Sequence, residues 1–144
     1  MSEKVVVGYD DSESSKNALA FAIDLAKARG CDLVVAHVLE WSPYSFLTPE
    51  ELEERHARRR EELDRAEAAL LAPVRAQLAS AGVEGETVSR YGHIADTLAE
   101  IIKATGAKQV VVGRTGHSGL SSRIFGSVAG TLAQMATVPV TIVP

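Results

Sequence analysis

The chain has 144 residues, a length that suits one compact domain spanning 1–144 with one hydrophobic core and that argues against a two-domain enzyme. With 46% hydrophobic and 24% charged residues it has the composition of a folded globular protein, and at 5% aromatics its core is expected to be aliphatic. Fifteen basic residues against nineteen acidic ones leave a formal charge of −4, which supplies no overall field for attracting nucleic acid or an anionic membrane.

Local patterns agree with that balance. The run Arg58-Arg59-Arg60 is answered by Glu53-Glu54 and Glu61-Glu62, so it reads as a solvated, salt-laced helix face. No stretch approaches eighteen consecutive apolar residues, and Lys4 leads straight into a strand without a secretory apolar segment, so a cytoplasmic location is expected. The single cysteine, Cys31, has no internal disulfide partner and fits a reducing compartment.

In chain order, Lys4 to Val7 is a short β-branched run ending at Gly8, and Ser12 or Ser14 can cap the helix that follows. Ala18, Leu19, Ala22, Ile23 and Ala26 then recur at three- and four-residue spacing, predicting one apolar stripe that stops at Gly30. Leu33 to Leu39 is almost wholly apolar, as a strand covered on both faces of a parallel sheet must be. Trp41 to Pro49 reads as a surface loop that folds back over the domain or meets a partner. Thr48, Pro49 and Glu51 form a helix start: a cap, a proline in the first turn, and an acid three residues after the cap. The helix is expected to run to about Ala81 with Leu52, Leu63, Ala66, Leu70, Val74 and Leu78 as its stripe, kinked or broken near Leu71 by Pro73.

Val83 to Tyr91 is a more polar strand suited to a sheet edge. Ile94, Leu98, Ile101 and Ile102 define the buried face of the next helix, which Gly106 ends. Val110 to Val112 repeats the buried-strand pattern. A helix from Ser127 to Ala136 carries Val128, Leu132 and Met135, and Pro139 to Val143 is the last strand. This alternation, with crossovers long enough for parallel pairing, predicts a three-layer α/β/α doubly wound fold on a five-stranded, mainly parallel sheet.

Ligands of such sheets bind beyond the carboxyl ends of the strands, where the strand order reverses. Asp10 and Asp11 follow the first strand, Val38 ends the second, and Gly113 to Ser127 follow the fourth. Gly113 and Gly116 allow close backbone approach and can turn amides toward an anion, although any strand-to-helix loop can need glycines for its turn. Ser127 offers a hydroxyl, and its amide and that of Val128 stand at a helix N-terminus that favours phosphate. Arg114, His117 and Arg123 are within reach of phosphate oxygens by position, Arg114 best of the three, or are merely exposed. Asp10 is placed to recognise a ribose hydroxyl or a metal, or to serve as a turn former and helix-dipole acid. Val38 can offer only packing and backbone contact to an adenine ring, or is ordinary core. Neither the P-loop pattern nor the dinucleotide GxGxxG pattern is present.

The spacing Gly113-Arg114-Thr115-Gly116, nine residues, then Gly126-Ser127 resembles the nucleotide signature of the universal stress protein family. The resemblance extends to Val5-Val6-Val7-Gly8-Tyr9-Asp10-Asp11-Ser12, to Ala36-His37-Val38 and to Val138-Pro139-Val140-Thr141-Ile142-Val143, and is weakest over Trp41 to Arg65. It implies a Rossmann-like sheet of order 3-2-1-4-5, and a site in which Asp10 holds the ribose side and Val38 the adenine edge. Gly113, Arg114, Gly116, His117, Gly126, Ser127 and Val128 would then surround the phosphates and ribose. The ligand implied is ATP with Mg²⁺ held mainly by its phosphates, in a homodimer joined through the C-terminal strand. Because the chain offers a phosphate cradle without a lysine clamp or an evident base, a nucleotide-responsive regulatory or stress-response protein is favoured over a slow ATPase or nucleotide-dependent transferase. A nucleotide-free scaffold or chaperone-like protein is the other alternative. A response-regulator receiver is disfavoured, because Val88-Ser89-Arg90-Tyr91-Gly92 supplies no phosphoacceptor aspartate.

Overall fold

The computed structural model describes residues 2–40, 48–116 and 127–144. The first β-branched run forms β1 (Lys4–Gly8), which turns through Asp10 and Asp11 into α1 (Glu13–Arg29). Ser12 is the cap of α1: its Oγ accepts from the Ser15 amide at 3.2 Å, satisfying one of the orphan donors of the first turn. The helix ends where Gly30 adopts a left-handed conformation, φ 69°. The chain returns as β2 (Asp32–Glu40), parallel to β1 with Lys4 beside Asp32 and Gly8 beside Ala36.

Across the sheet edge lies α2 (Pro49–Ala66), opened by the expected capping box between Thr48 and Glu51. The expected break takes the form of a π-helical turn over Glu67–Leu71, after which α3 (Ala72–Ala81) continues. Ala72 donates to the Glu67 carbonyl, five residues back. The widened turn precedes Pro73, which has no N–H to donate and whose ring crowds a normal α-helical carbonyl. Beyond α3 come β3 (Gly85–Gly92), α4 (Ile94–Thr105), β4 (Gln109–Gly113), α5 (Ser127–Met135) and β5 (Val140–Val143).

The five described strands pair in the order β3-β2-β1-β4-β5, all in parallel. Strand alternation divides the core. Val5, Val7, Leu33, Val35 and Val111 pack with α1 and α3 on one face; Val6, Val34, Ala36, Val38, Val110 and Val112 pack with α4 and α5 on the other. The polar strand β3 is indeed an edge, and α2 lies against it: the Tyr91 hydroxyl donates to Glu62 at 2.7 Å while the Arg59 guanidinium sits 5.0 Å from the Tyr91 ring centre. Not every member of the predicted stripes is buried; Leu63 and Leu70, for example, are only partly covered. Leu52 is 43% exposed and Met135 is also exposed, although each continues the amphipathic spacing of its helix. The expected loop Trp41 to Pro49 lies outside the described residues as far as residue 47.

Candidate functional site

The reversal of strand order falls between β1 and β4, and there a cavity of about 340 Å³ opens at the carboxyl ends of the strands. Its volume is at the lower end of the roughly 300–1,000 Å³ common for small-molecule sites. Each wall comes from a different element. Gly8, Tyr9 and Asp10 enter from the end of β1, His37, Val38 and Glu40 from β2, and Gly113, Thr115 and Gly116 from β4 and the chain beyond it. Ile94 and Leu98 face it from α4, and Ser127 and Val128 from the start of α5.

Asp10 is a turn former and also lines the cavity. Its Oδ1 accepts from the Ser12 amide at 3.0 Å and from the Ser12 hydroxyl, the bonds of a turn former. Its Oδ2 lies toward Gly116, where a Cβ would come within 3.1 Å of it. The Asp10 amide is bound by Ser15 Oγ at 3.3 Å, so backbone and side chain are both fixed at the cavity rim. This geometry depends on Asp11, whose φ of 65° places a non-glycine residue in the left-handed region; aspartate tolerates that region better than most side chains.

Val38 is buried on the α4 side of the sheet and shares the cavity wall with Ile94 and Leu98, one helical turn apart on α4. These three give an apolar side to the cavity that Asp10 also lines. Gly113 and Gly116 both line the cavity, yet they meet different constraints. A Cβ on Gly113 would stand 2.5 Å from Ser14 Oγ and 2.7 Å from the Ser14 carbonyl carbon, so glycine is required there for α1 to pack on the end of β4. At Gly116 the pressure comes from Asp10 instead. Ser127 and Val128 stand at the first positions of α5, with the helix N-terminus directed at the cavity. Arg114 is not among the lining residues; its amide donates to the Val143 carbonyl at 2.7 Å and ties the chain to β5. The predicted site residues His117 and Gly126 lie outside the described residues, as does Arg123.

Several lining residues had no individual signal in the sequence. His37 is buried, and its Nδ1 lies 2.9 Å from the Tyr9 carbonyl; a carbonyl only accepts, so Nδ1 carries the hydrogen of this bond. The Tyr9 phenol is pushed up to about 12, first by burial and then by the negative charges of Asp11 and Asp10. Its hydroxyl donates to Asp11 at 3.3 Å. Among the described residues no group of three or more His, Cys, Asp or Glu side chains is placed to hold a metal ion. Nor, among them, is any helix long and apolar enough to cross a membrane.

Comparison with known proteins gives a consistent answer over the whole chain. The model of the universal stress protein family matches residues 1–144. Universal stress protein YxiE of Bacillus subtilis is 32% identical over 156 residues, an alignment that covers 99% of each chain. The solved structure of universal stress protein UspA from Lactobacillus plantarum has the same fold, with a TM-score of 0.82 at 21% identity, covering 99% of this chain and 97% of that one. A universal stress protein solved in complex with cAMP is 28% identical with a TM-score of 0.62, covering 99% and 97% respectively. The parallel sheet in the order 3-2-1-4-5, its strand-end cavity and the end-to-end match place this chain in the universal stress protein family.

Proposed function

We propose that the strand-end cavity binds an adenine nucleotide, ATP with Mg²⁺ carried by the phosphates, and that the protein acts as a nucleotide-responsive regulatory dimer. The observation that carries this reading is the convergence of an apolar slot, a fixed carboxylate and a helix N-terminus on one cavity at the switch point of the sheet. Each part matches one part of the ligand. The slot of Val38, Ile94 and Leu98 suits an adenine ring, Asp10 Oδ2 suits a ribose hydroxyl, and the backbone at Gly116 with the start of α5 suits phosphates, the Arg114 and Thr115 amides being already bound to Val143 and Ser14. The structure of the cAMP-bound relative supports the same chemical class. Dimerisation through β5 accords with its position as an edge strand of the sheet.

Little in the cavity favours fast phosphoryl transfer. Among the described residues the cavity is lined by no lysine or arginine, and the groups these residues offer to phosphate charge are backbone dipoles, beside the metal brought with the nucleotide. Binding with slow or absent turnover follows.

The test is titration calorimetry with ATP, ADP, AMP and cAMP, beside mass spectrometry of the ligand released from the purified native protein. Asp10→Ala removes the ribose contact and is expected to weaken binding by about 10–100-fold, the equivalent of one charged hydrogen bond. A protein that carries no adenine compound and shows no ATP-induced thermal shift would be a nucleotide-free scaffold instead. Phosphate release that disappears in Asp10→Ala while ATP still binds would make it a slow ATPase.

A further inference from the structure

The end of β4, the start of α1 and the last residue of β5 meet in a small ring of hydrogen bonds. The Arg114 amide donates to the Val143 carbonyl at 2.7 Å. The next amide, that of Thr115, donates to Ser14 Oγ at 3.3 Å, and the Ser14 hydroxyl donates onward to the same Val143 carbonyl at 3.1 Å. A hydroxyl has one hydrogen and two lone pairs, so Ser14 can fill both roles at once. Ser14 is only 7% exposed, and the lack of room for a Cβ on Gly113 shows how closely it is held against the end of β4. Thr115 and Gly113 line the cavity, Ser14 does not, and Val143 is the last residue of the edge strand.

We propose that Ser14 is a positioning residue that couples occupancy of the cavity to the seating of β5. Two successive amides beyond β4 are aimed by a single acceptor system whose far end is the C-terminal strand. A ligand that holds the backbone from Gly113 to Gly116 in this arrangement therefore favours the state in which Val143 is anchored. By linkage, anchoring of Val143 raises affinity for the ligand by the same factor. Asn17 adds a second, exposed tie at the same end of the strand, with Nδ2 donating to the Pro144 carbonyl at 3.2 Å. The edge strand thus becomes the reporter of the site. This inference rests on the nucleotide reading of the cavity.

The experiment is amide hydrogen exchange on the full chain, with and without saturating ATP, in wild type, Ser14→Ala and Ser14→Thr. In wild type, ATP is expected to slow exchange at Asp10 and Val38, and also at Arg114 and over Val140–Val143 by about tenfold, within the usual range of coupling between sites. Ser14→Ala should keep ligand protection at Asp10 and Val38 while losing the increment over β5, and Ser14→Thr, which retains the hydroxyl, should restore it. An increment over β5 that is the same in Ser14→Ala as in wild type overturns the proposal. If Ser14→Ala does not fold, the wild-type and Ser14→Thr arms decide: protection at Asp10 and Val38 with none over β5 overturns the coupling and leaves the binding reading intact. Absence of protection everywhere in wild type overturns both.

Discussion

Gly113 and Gly116 are equivalent as letters and opposite as physical constraints. Gly113 permits α1 to approach β4, whereas Gly116 borders the carboxylate of Asp10. Gly113→Ala should therefore lower stability by about 1–3 kcal/mol through overpacking against Ser14, read in chemical denaturation. Gly116→Ala should leave the denaturation midpoint nearly unchanged and reduce nucleotide affinity in calorimetry, since the side chain would crowd Asp10 Oδ2. Tyr9 allows a pH prediction. Its folded pKa of about 12 lies above the ordinary phenol value of 10.0, so the fold prefers the neutral phenol. The associated stabilisation is fully present below pH 10 and is lost as pH rises from about 10 through 12. Tyr9→Phe should flatten the fall in thermal midpoint over that window, and ultraviolet titration of the wild type should show a phenol ionising late. The two candidate roles of Asp10 could be named from its position after a strand. Only the structure shows that Asp10 makes the bonds of a turn former through Oδ1 while Oδ2 lies toward Gly116 at the cavity.

At the scale of elements, helix periodicity was the most legible signal where a sheet lies under the whole helix. In α4, Leu98, Ile101 and Ile102 are buried as their spacing requires. The segment 49–81 shows where such reasoning runs short. Its apolar spacing continues through Leu52, but Ala66 is the only buried residue described in α2, while Leu71, Val74 and Leu78 are buried beyond it. Periodicity states which residues share a face and is silent on how far the neighbouring sheet extends. Leu71→Ala, at a residue with 0% exposure, is expected to cost about 2–5 kcal/mol in urea denaturation. Leu52→Ala should stay within about 0.5 kcal/mol. A comparable cost at both positions would mean that α2 is covered along its length. Proline placement was also legible, since Pro73 marked the interruption; that the chain answers with a π-helical turn, with Leu71 buried at its end, and keeps the helix going was not.

For the whole molecule, the sheet has two edges with different treatment. β3 is polar and partly covered by α2, whereas β5 is short, apolar and the outermost strand on its side. Its partly buried Thr141 side chain accepts from Gln109 Nε2 at 2.7 Å, on the opposite face of the sheet from Val140 and Ile142. Thr141→Lys should therefore place a charge on the edge without emptying the core. In a two-fold β5 pairing it sets like charges near one another, so the variant is expected to sediment as a monomer where wild type sediments as a dimer, with an unchanged circular dichroism spectrum. Equal sedimentation of both proteins would place the dimer contact elsewhere or remove it.

The alternation of strand and helix, the buried strands, the caps at Ser12 and Thr48 and the break before Pro73 were determined by the sequence itself. Each is a local matter of periodicity, backbone geometry or an orphan amide, decided within a few residues. The order of the strands, expected from the family resemblance alone and observed as 3-2-1-4-5, and the set of residues that meet at the site were decided by tertiary structure. Ile94 and Leu98 read only as a buried helix face until packing brought them to the same cavity as Asp10, and Ser14 read only as a possible cap until it met Thr115 and Val143, more than a hundred residues away. Such contacts arise from how parallel strands are stacked side by side, and no spacing along the chain encodes which distant carbonyl will end beside a given hydroxyl.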